Sequence, residues 1–102
     1  MSGIYDLDFS WDPAKAHSNI VKHGVGFDEA AWVLHDRLAI TVFDAAHSET
    51  EERWFTVGMS PAGRLLTVSH TFVISDVLRA RVRIISARKA TRNERRQYEE
   101  GR

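Results

Sequence analysis

Trp54-Phe55-Thr56-Val57-Gly58-Met59-Ser60-Pro61-Ala62-Gly63-Arg64-Leu65-Leu66-Thr67-Val68-Ser69-His70-Thr71-Phe72 carries the clearest structural signal in the chain. Trp54–Met59 and Leu65–Phe72 are rich in β-branched and aromatic residues. Between them, Ser60-Pro61-Ala62-Gly63 supplies the backbone angles of a tight turn. The stretch therefore reads as a β-hairpin. On its N-terminal side, Leu38–Phe43 has the same β-forming composition, and the polar, acidic segment Asp44–Glu52 reads as a loop. On its C-terminal side, Val82–Ala87 predicts another strand, with Arg79 as its earliest start. The connection Val73–Leu78 holds neither glycine nor proline, so composition leaves its shape open.

The first third alternates differently. Tyr5, Leu7, Phe9 and Trp11 recur at period two, the pattern of a half-buried strand. Asp12-Pro13 then predicts a helix start, a capping carboxylate followed by proline at the first helical position. This helix should run to about His23 and stop at Gly24, which suits the left-handed position. A second short helix should begin near Gly26 and cover Phe27 to about Leu34, with Asp28 and Glu29 favourable in its first turn. Near the end, Thr91-Arg92-Asn93-Glu94 has the capping-box pattern and predicts a helix to about Glu100. The expected order is β-α-α-β-β-β-β-α. It implies an α+β fold, a mostly antiparallel sheet with two N-terminal helices and one C-terminal helix.

A chain of 102 residues predicts one domain, residues 1–102. There are no cysteines, which excludes a disulfide framework and thiolate metal sites. No apolar run approaches the ~20 residues that span a bilayer. Met1–Ser10 carries Asp6 and Asp8 and no basic segment followed by an apolar one, so a cytoplasmic protein is expected. The zero net charge conceals an asymmetry. Residues 1–60 hold four Lys/Arg against ten Asp/Glu, and residues 61–102 hold ten against four.

Within residues 79–96 stand eight basic side chains and one acidic one, Glu94. In a strand, Arg79, Arg81 and Arg83 would share one face while Ala80, Val82 and Ile84 share the other. Guanidinium forks match phosphate oxygens and stay charged at any working pH. The stripe therefore fits a phosphodiester ligand, or equally an ion-paired or solvated face drawing on the carboxylates of the first sixty residues. On the first helix, Asn19, Lys22 and His23 lie at i, i+3 and i+4 and share a face. Lysine suits phosphate and histidine titrates near neutrality, although both also suit a helix C-terminus. Tyr98 lies three residues after Arg95. Arginine, lysine, histidine and tyrosine together cover what metal-free RNA cleavage needs: a base, cations for the transition state, and an acid. The histidines show no metal-binding spacing and there is no glycine-rich phosphate loop, so neither metal nor cofactor is expected.

Two long motifs add to this. Phe9-Ser10-Trp11-Asp12-Pro13-Ala14-Lys15 with Asn19-Ile20-Val21-Lys22-His23-Gly24-Val25-Gly26-Phe27-Asp28-Glu29-Ala30 resembles the opening signature of BrnT toxins. Arg83-Ile84-Ile85-Ser86-Ala87-Arg88-Lys89-Ala90-Thr91-Arg92-Asn93-Glu94-Arg95-Arg96-Gln97-Tyr98-Glu99 resembles that family's closing signature, and Asp44–Arg53 and Val57-Gly58 also fit. The resemblance implies a fold similar to RelE-type ribonucleases, RNA cleavage without metal, and a cognate BrnA-like, ribbon-helix-helix antitoxin in a hetero-oligomer. It carries Lys22, His23, Arg83, Arg88 and Tyr98 over as catalytic residues. Arg83 and Arg88 would contact the phosphate, and His23 or Tyr98 would move protons. Asn19, Arg81, Ser86, Arg92, Arg95 and Arg96 would bind RNA. One departure is Phe72–Leu78, longer and more apolar than the short polar turn usual in the family, which leaves the register of Arg79 and Arg81 open. A non-catalytic RNA-binding or antitoxin-binding module, or a bare interaction domain, are the other readings. Steep weakening of binding by salt would separate phosphate contact from the last.

Overall fold

The computed structural model describes residues 4–101; Met1–Gly3 and Arg102, and with them the ends of the expected domain, lie outside the described residues. The chain order is β1 (Asp6–Ser10), α1 (Pro13–His23), α2 (Phe27–Val33), β2 (Ile40–Phe43), a 3-10 turn (Ala45–His47), β3 (Trp54–Met59), β4 (Leu65–His70), β5 (Val73–Asp76), β6 (Arg79–Lys89) and α3 (Arg92–Glu100). The architecture is α+β, with a mixed sheet and three helices.

Local chemistry accounts for most boundaries. Asp12 accepts the Ala14 N–H at 2.8 Å, Pro13 opens α1, and Gly24, at φ 69°, returns its N–H to the Ile20 carbonyl. Both arms of the capping box form at the start of α3: Thr91 Oγ1 takes the Glu94 N–H at 3.1 Å, and Glu94 takes the Thr91 N–H at 2.8 Å. Gly63, at φ 78°, makes the β3–β4 turn. The undetermined connection turns out to be β5, hairpinned to β6 through Val77 and Leu78, with Leu78 in the left-handed region at φ 59°.

The sheet runs β1-β6-β4-β3-β2, and β5 pairs with the first part of β6. β1 pairs with β6 in parallel, while the pairings of β2, β3, β4 and β5 are antiparallel. The sheet is therefore not purely antiparallel. Its first strand pairs with one that follows 73 residues later in the chain.

Helix α2 and the turn before it cover one face. Val25, Phe27, Ala30, Val33 and Leu34 pack on Leu66, Val68, Val82, Ile84 and Ala87. Gly58 allows this approach, because a Cβ there would stand 3.0 Å from Val33 Cγ1 and 3.1 Å from its carbonyl oxygen. α3 lies on the other face, where Tyr98 packs with Val57 and Leu65. Beneath the first layer His70 is fully buried. Its Nδ1 faces the Thr71 carbonyl at 2.9 Å, an acceptor only, so Nδ1 donates and Nε2 accepts the Thr56 hydroxyl at 2.7 Å. Burial holds the imidazole below its ordinary pKa.

Candidate active site

β6 organises the candidate site. Arg79, Arg81 and Arg83 are exposed, and Ala80, Val82 and Ile84 are buried, as the alternation predicts. Opposite, Ser69 pairs with Ser86 but His70 pairs with Ile84, so Ile85 is an extra residue. This bulge reverses the alternation: Ala87 joins the core beside Val82 and Ile84. Arg83 and Arg88, five positions apart, would face opposite ways on a regular strand. Here both face the α3 side.

A carboxylate holds each guanidinium. Arg88 donates to both Glu94 oxygens, at 2.8 and 3.0 Å. Glu94 also accepts the Thr67 hydroxyl at 2.8 Å. Chiefly through Arg88, these bonds hold the Glu94 carboxyl down at about 2, against the partial burial that opposes them. Arg83 donates to Glu51, which also accepts from Arg53 at 3.4 Å, and the Arg83 contact above all lowers the Glu51 pKa. Arg79 forks onto Asp8 of the neighbouring strand, with a closest contact of 3.0 Å. Part of the stripe is thus paired with carboxylates from the first sixty residues. Arg81 is exposed, as are Arg92, Arg95 and Arg96 on α3.

Lys22 and His23 are exposed at the end of α1. With Lys15, Ser18 and Asn19 they line a shallow depression of about 190 Å³ whose other wall is Ile85 and Ser86. A separate hollow of about 530 Å³ is lined by Arg83 with Glu51, Glu52, Trp54, Thr71, Phe72, Val73 and Ile74. Lys22 and His23 therefore reach the middle of β6 at Ser86, in a depression whose lining differs from that of the hollow at Arg83.

Two expected site residues, Asn19 as an RNA contact and Tyr98 as a catalytic group, have other tasks. Asn19 is buried, donating from Nδ2 to the Ala87 and Val25 carbonyls at 2.8 and 2.9 Å and accepting the Ala87 N–H at 3.1 Å. It stands in for a neighbouring strand on the β6 edge beyond the end of β1. It is not an RNA contact in this arrangement, because its amide is already satisfied by backbone. Tyr98 is 5% exposed and donates its hydroxyl to Asp36 at 2.6 Å. It is a core residue tying α3 to the α2–β2 connection, out of reach of a substrate proton. Sequence reasoning missed Glu51, Arg53 and Thr67, and took Glu94 as a cap alone. The acidic loop was the available signal for Glu51. Among the described residues no three His, Asp or Glu side chains gather as a metal site.

The sequence profile of the BrnT ribonuclease toxins of type II toxin–antitoxin systems matches residues 11–94. The chain belongs to the BrnT family. The match covers α1 through the capping box of α3, and so includes Lys22, His23, Glu51, Arg83, Arg88 and Glu94. The fold is similar to the crystal structure of the Brucella abortus ribonuclease toxin BrnT, with a TM-score of 0.62 and 24% identity over 85% of this chain and 100% of that one. No curated protein sequence matches. As a BrnT-family chain the protein is a ribonuclease toxin of a type II system, which implies an RNA target and an antitoxin partner. No helix among the described residues is long and apolar enough to cross a membrane.

Proposed function

We propose that this BrnT-family toxin is a metal-independent endoribonuclease that arrests growth, acting in the cytoplasm on RNA laid along the α3 side of β6. The observation that carries this is the bulge at Ile85, which brings Arg83 and Arg88 to one face. Counted against β4, where Arg83 lies across from Thr71 and Arg88 from Thr67, the two positions are four residues or roughly 13 Å apart, so they suit separate, non-adjacent phosphates of one strand rather than a single one. Ser86 lies between them. Lys22 and His23 approach Ser86 from the α1 edge, where Lys22 can offset phosphate charge and His23 can carry a proton. Arg81, Arg92, Arg95 and Arg96 extend the basic surface. A sheet with a helix on its outer face also supports the likeness to RelE-type ribonucleases.

The antitoxin is read as a BrnA-like ribbon-helix-helix protein in a hetero-oligomer. The exposed apolar residues of the β5–β6 hairpin, Val73, Ile74, Val77 and Leu78, support a protein partner there. A neighbouring reading frame encoding such a protein is the expected finding.

Induced expression tests the nuclease reading. Wild type should stop growth and degrade RNA, and Arg83→Ala or Arg88→Ala should not. Losing one transition-state contact of this sort costs about 10²–10³-fold. An abundant, folded wild type that leaves RNA intact would count against it. The second reading, binding without cleavage, draws on the carboxylates already paired with both arginines. A purified protein that shifts RNA and never cuts it would favour that one.

A further inference from the structure

Arg83 stands on the wall of the hollow of about 530 Å³, a volume within the range of small-ligand sites. The rest of that wall differs from the basic surface around it. Trp54, Phe72, Val73 and Ile74 make it largely apolar. Both aromatic rings are half-buried, and each is braced by a ring from outside the hollow. Phe43 meets Trp54 edge-to-face with centroids 5.0 Å apart, and Tyr5 meets Phe72 in the same way at 5.6 Å. Such contacts hold the rings in place before any ligand arrives.

Charge decides what can enter. The wall carries two carboxylates, Glu51 and Glu52, against the one guanidinium. Glu51 is engaged by Arg83 and Arg53, whereas Glu52 is exposed and has no hydrogen bond or ion pair among the described residues. A phosphate drawn inside would face both carboxylates. An apolar side chain from a protein partner would bring Glu52 no donor. A nucleobase meets each condition. It is neutral, its π face suits the rings, and the N–H groups at its edge suit a carboxylate. Its phosphate stays at the rim, where Arg83 can exchange Glu51 for a second anion.

We infer that this hollow is a nucleobase subsite: it takes the unstacked base of the nucleotide whose phosphate Arg83 holds, against Trp54 and Phe72. The inference rests on the nuclease reading above and names the part of the RNA that lies beside Arg83. Trp54 and Phe72 are binding residues. Stacking tolerates any sequence, so the subsite fixes where a base lies rather than which base it is.

The test uses the purified full chain, a 2′-deoxy oligonucleotide that cannot be cut, and an abasic chain with the same number of phosphates. Stacking on an aromatic side chain should make wild type bind the complete oligonucleotide about 5- to 150-fold more tightly. Phe72→Leu keeps an apolar wall and removes a ring. It should lose most of that gain and hold the abasic chain as wild type does, within about twofold. On wild type alone, 5-iodouracil placed in the oligonucleotide should crosslink under ultraviolet light to the peptide carrying Trp54 or Phe72. Equal affinity of wild type for the two chains overturns the subsite, as does a gain that Phe72→Leu retains in full. Crosslinks confined to other segments overturn it too and leave the hollow to a protein partner. Wild type is also given the matching oligoribonucleotide in EDTA. If it cuts, any of these failures strikes the subsite alone. RNA left whole strikes the nuclease reading, and with it the hollow's part in cleavage.

Discussion

Replacing Glu94 with glutamine isolates the charge that holds Arg88. Glutamine keeps the side-chain length and an oxygen able to close the capping box, but loses the bidentate anion. In the folded chain the carboxyl sits at about 2 rather than the ordinary 4.5. At about 1.4 kcal/mol per tenfold, its partners favour the charged form by about 3 kcal/mol. The side chains of Glu94 and Arg88 are 22% and 38% exposed, so solvent screening brings the expected loss to about 2 kcal/mol at pH 7. With a urea dependence of about 1–3 kcal/mol/M for small proteins, the midpoint should fall by roughly 0.7–2 M. The sign with pH follows from linkage. A carboxyl with a depressed folded pKa adds stability that is complete above 4.5 and lost as pH falls toward 2. At pH 3 the gap between wild type and Glu94→Gln should be less than half its neutral value. Urea titrations at both pH values decide the matter. Equal midpoints at pH 7, or a gap as wide at pH 3 as at pH 7, would show that the Arg88–Glu94 pair does not act as described.

Gly58→Ala should destabilise by about 1–3 kcal/mol, since the new methyl meets α2 backbone at Val33; a denaturation midpoint unchanged from wild type would contradict the close approach. Leu78→Asn should stabilise by up to about 1 kcal/mol, because asparagine tolerates the left-handed region and Leu78 is 54% exposed, and a lower melting temperature would count against it. His70, held below its ordinary 6.5 by burial, predicts that stability drops as pH falls below about 6.5, where the unfolded chain binds a proton the folded chain refuses. Urea midpoints at pH 7.0 and 5.5 measure this, and a flat profile would speak against a neutral buried ring.

What could be read from the sequence was local. Asp12-Pro13, Gly24, Thr91 with Glu94, and Pro61 with Gly63 each act within one turn of chain, and each marks its boundary where expected. β5 gave no such mark, because its turn uses Val77 and a strained Leu78 in place of glycine or asparagine. The parallel β1–β6 pairing joins segments about 70 residues apart, and no neighbouring residue encodes it. The site divided along the same line. Alternation announced the exposed Arg79, Arg81 and Arg83, but the extra residue at Ile85 that turns Arg88 to their side comes from pairing with β4. Helical spacing put Asn19 beside Lys22 and His23, while the reason for the asparagine lies 68 residues away on Ala87. Tyr98 likewise had the right periodicity for a surface role and the wrong side of α3 for one.

The Asn19 amide also governs how other chains can meet this protein. A β-sheet margin with bare N–H and C=O groups invites any extended peptide to zip onto it. By bonding both the N–H and the C=O of Ala87, Asn19 occupies the ladder position that an incoming strand would need beside that residue, next to Arg88. A partner that docks by lengthening the sheet is therefore directed to an outer margin, β1, β2 or β5, and one that smothers the basic face must do it with side chains.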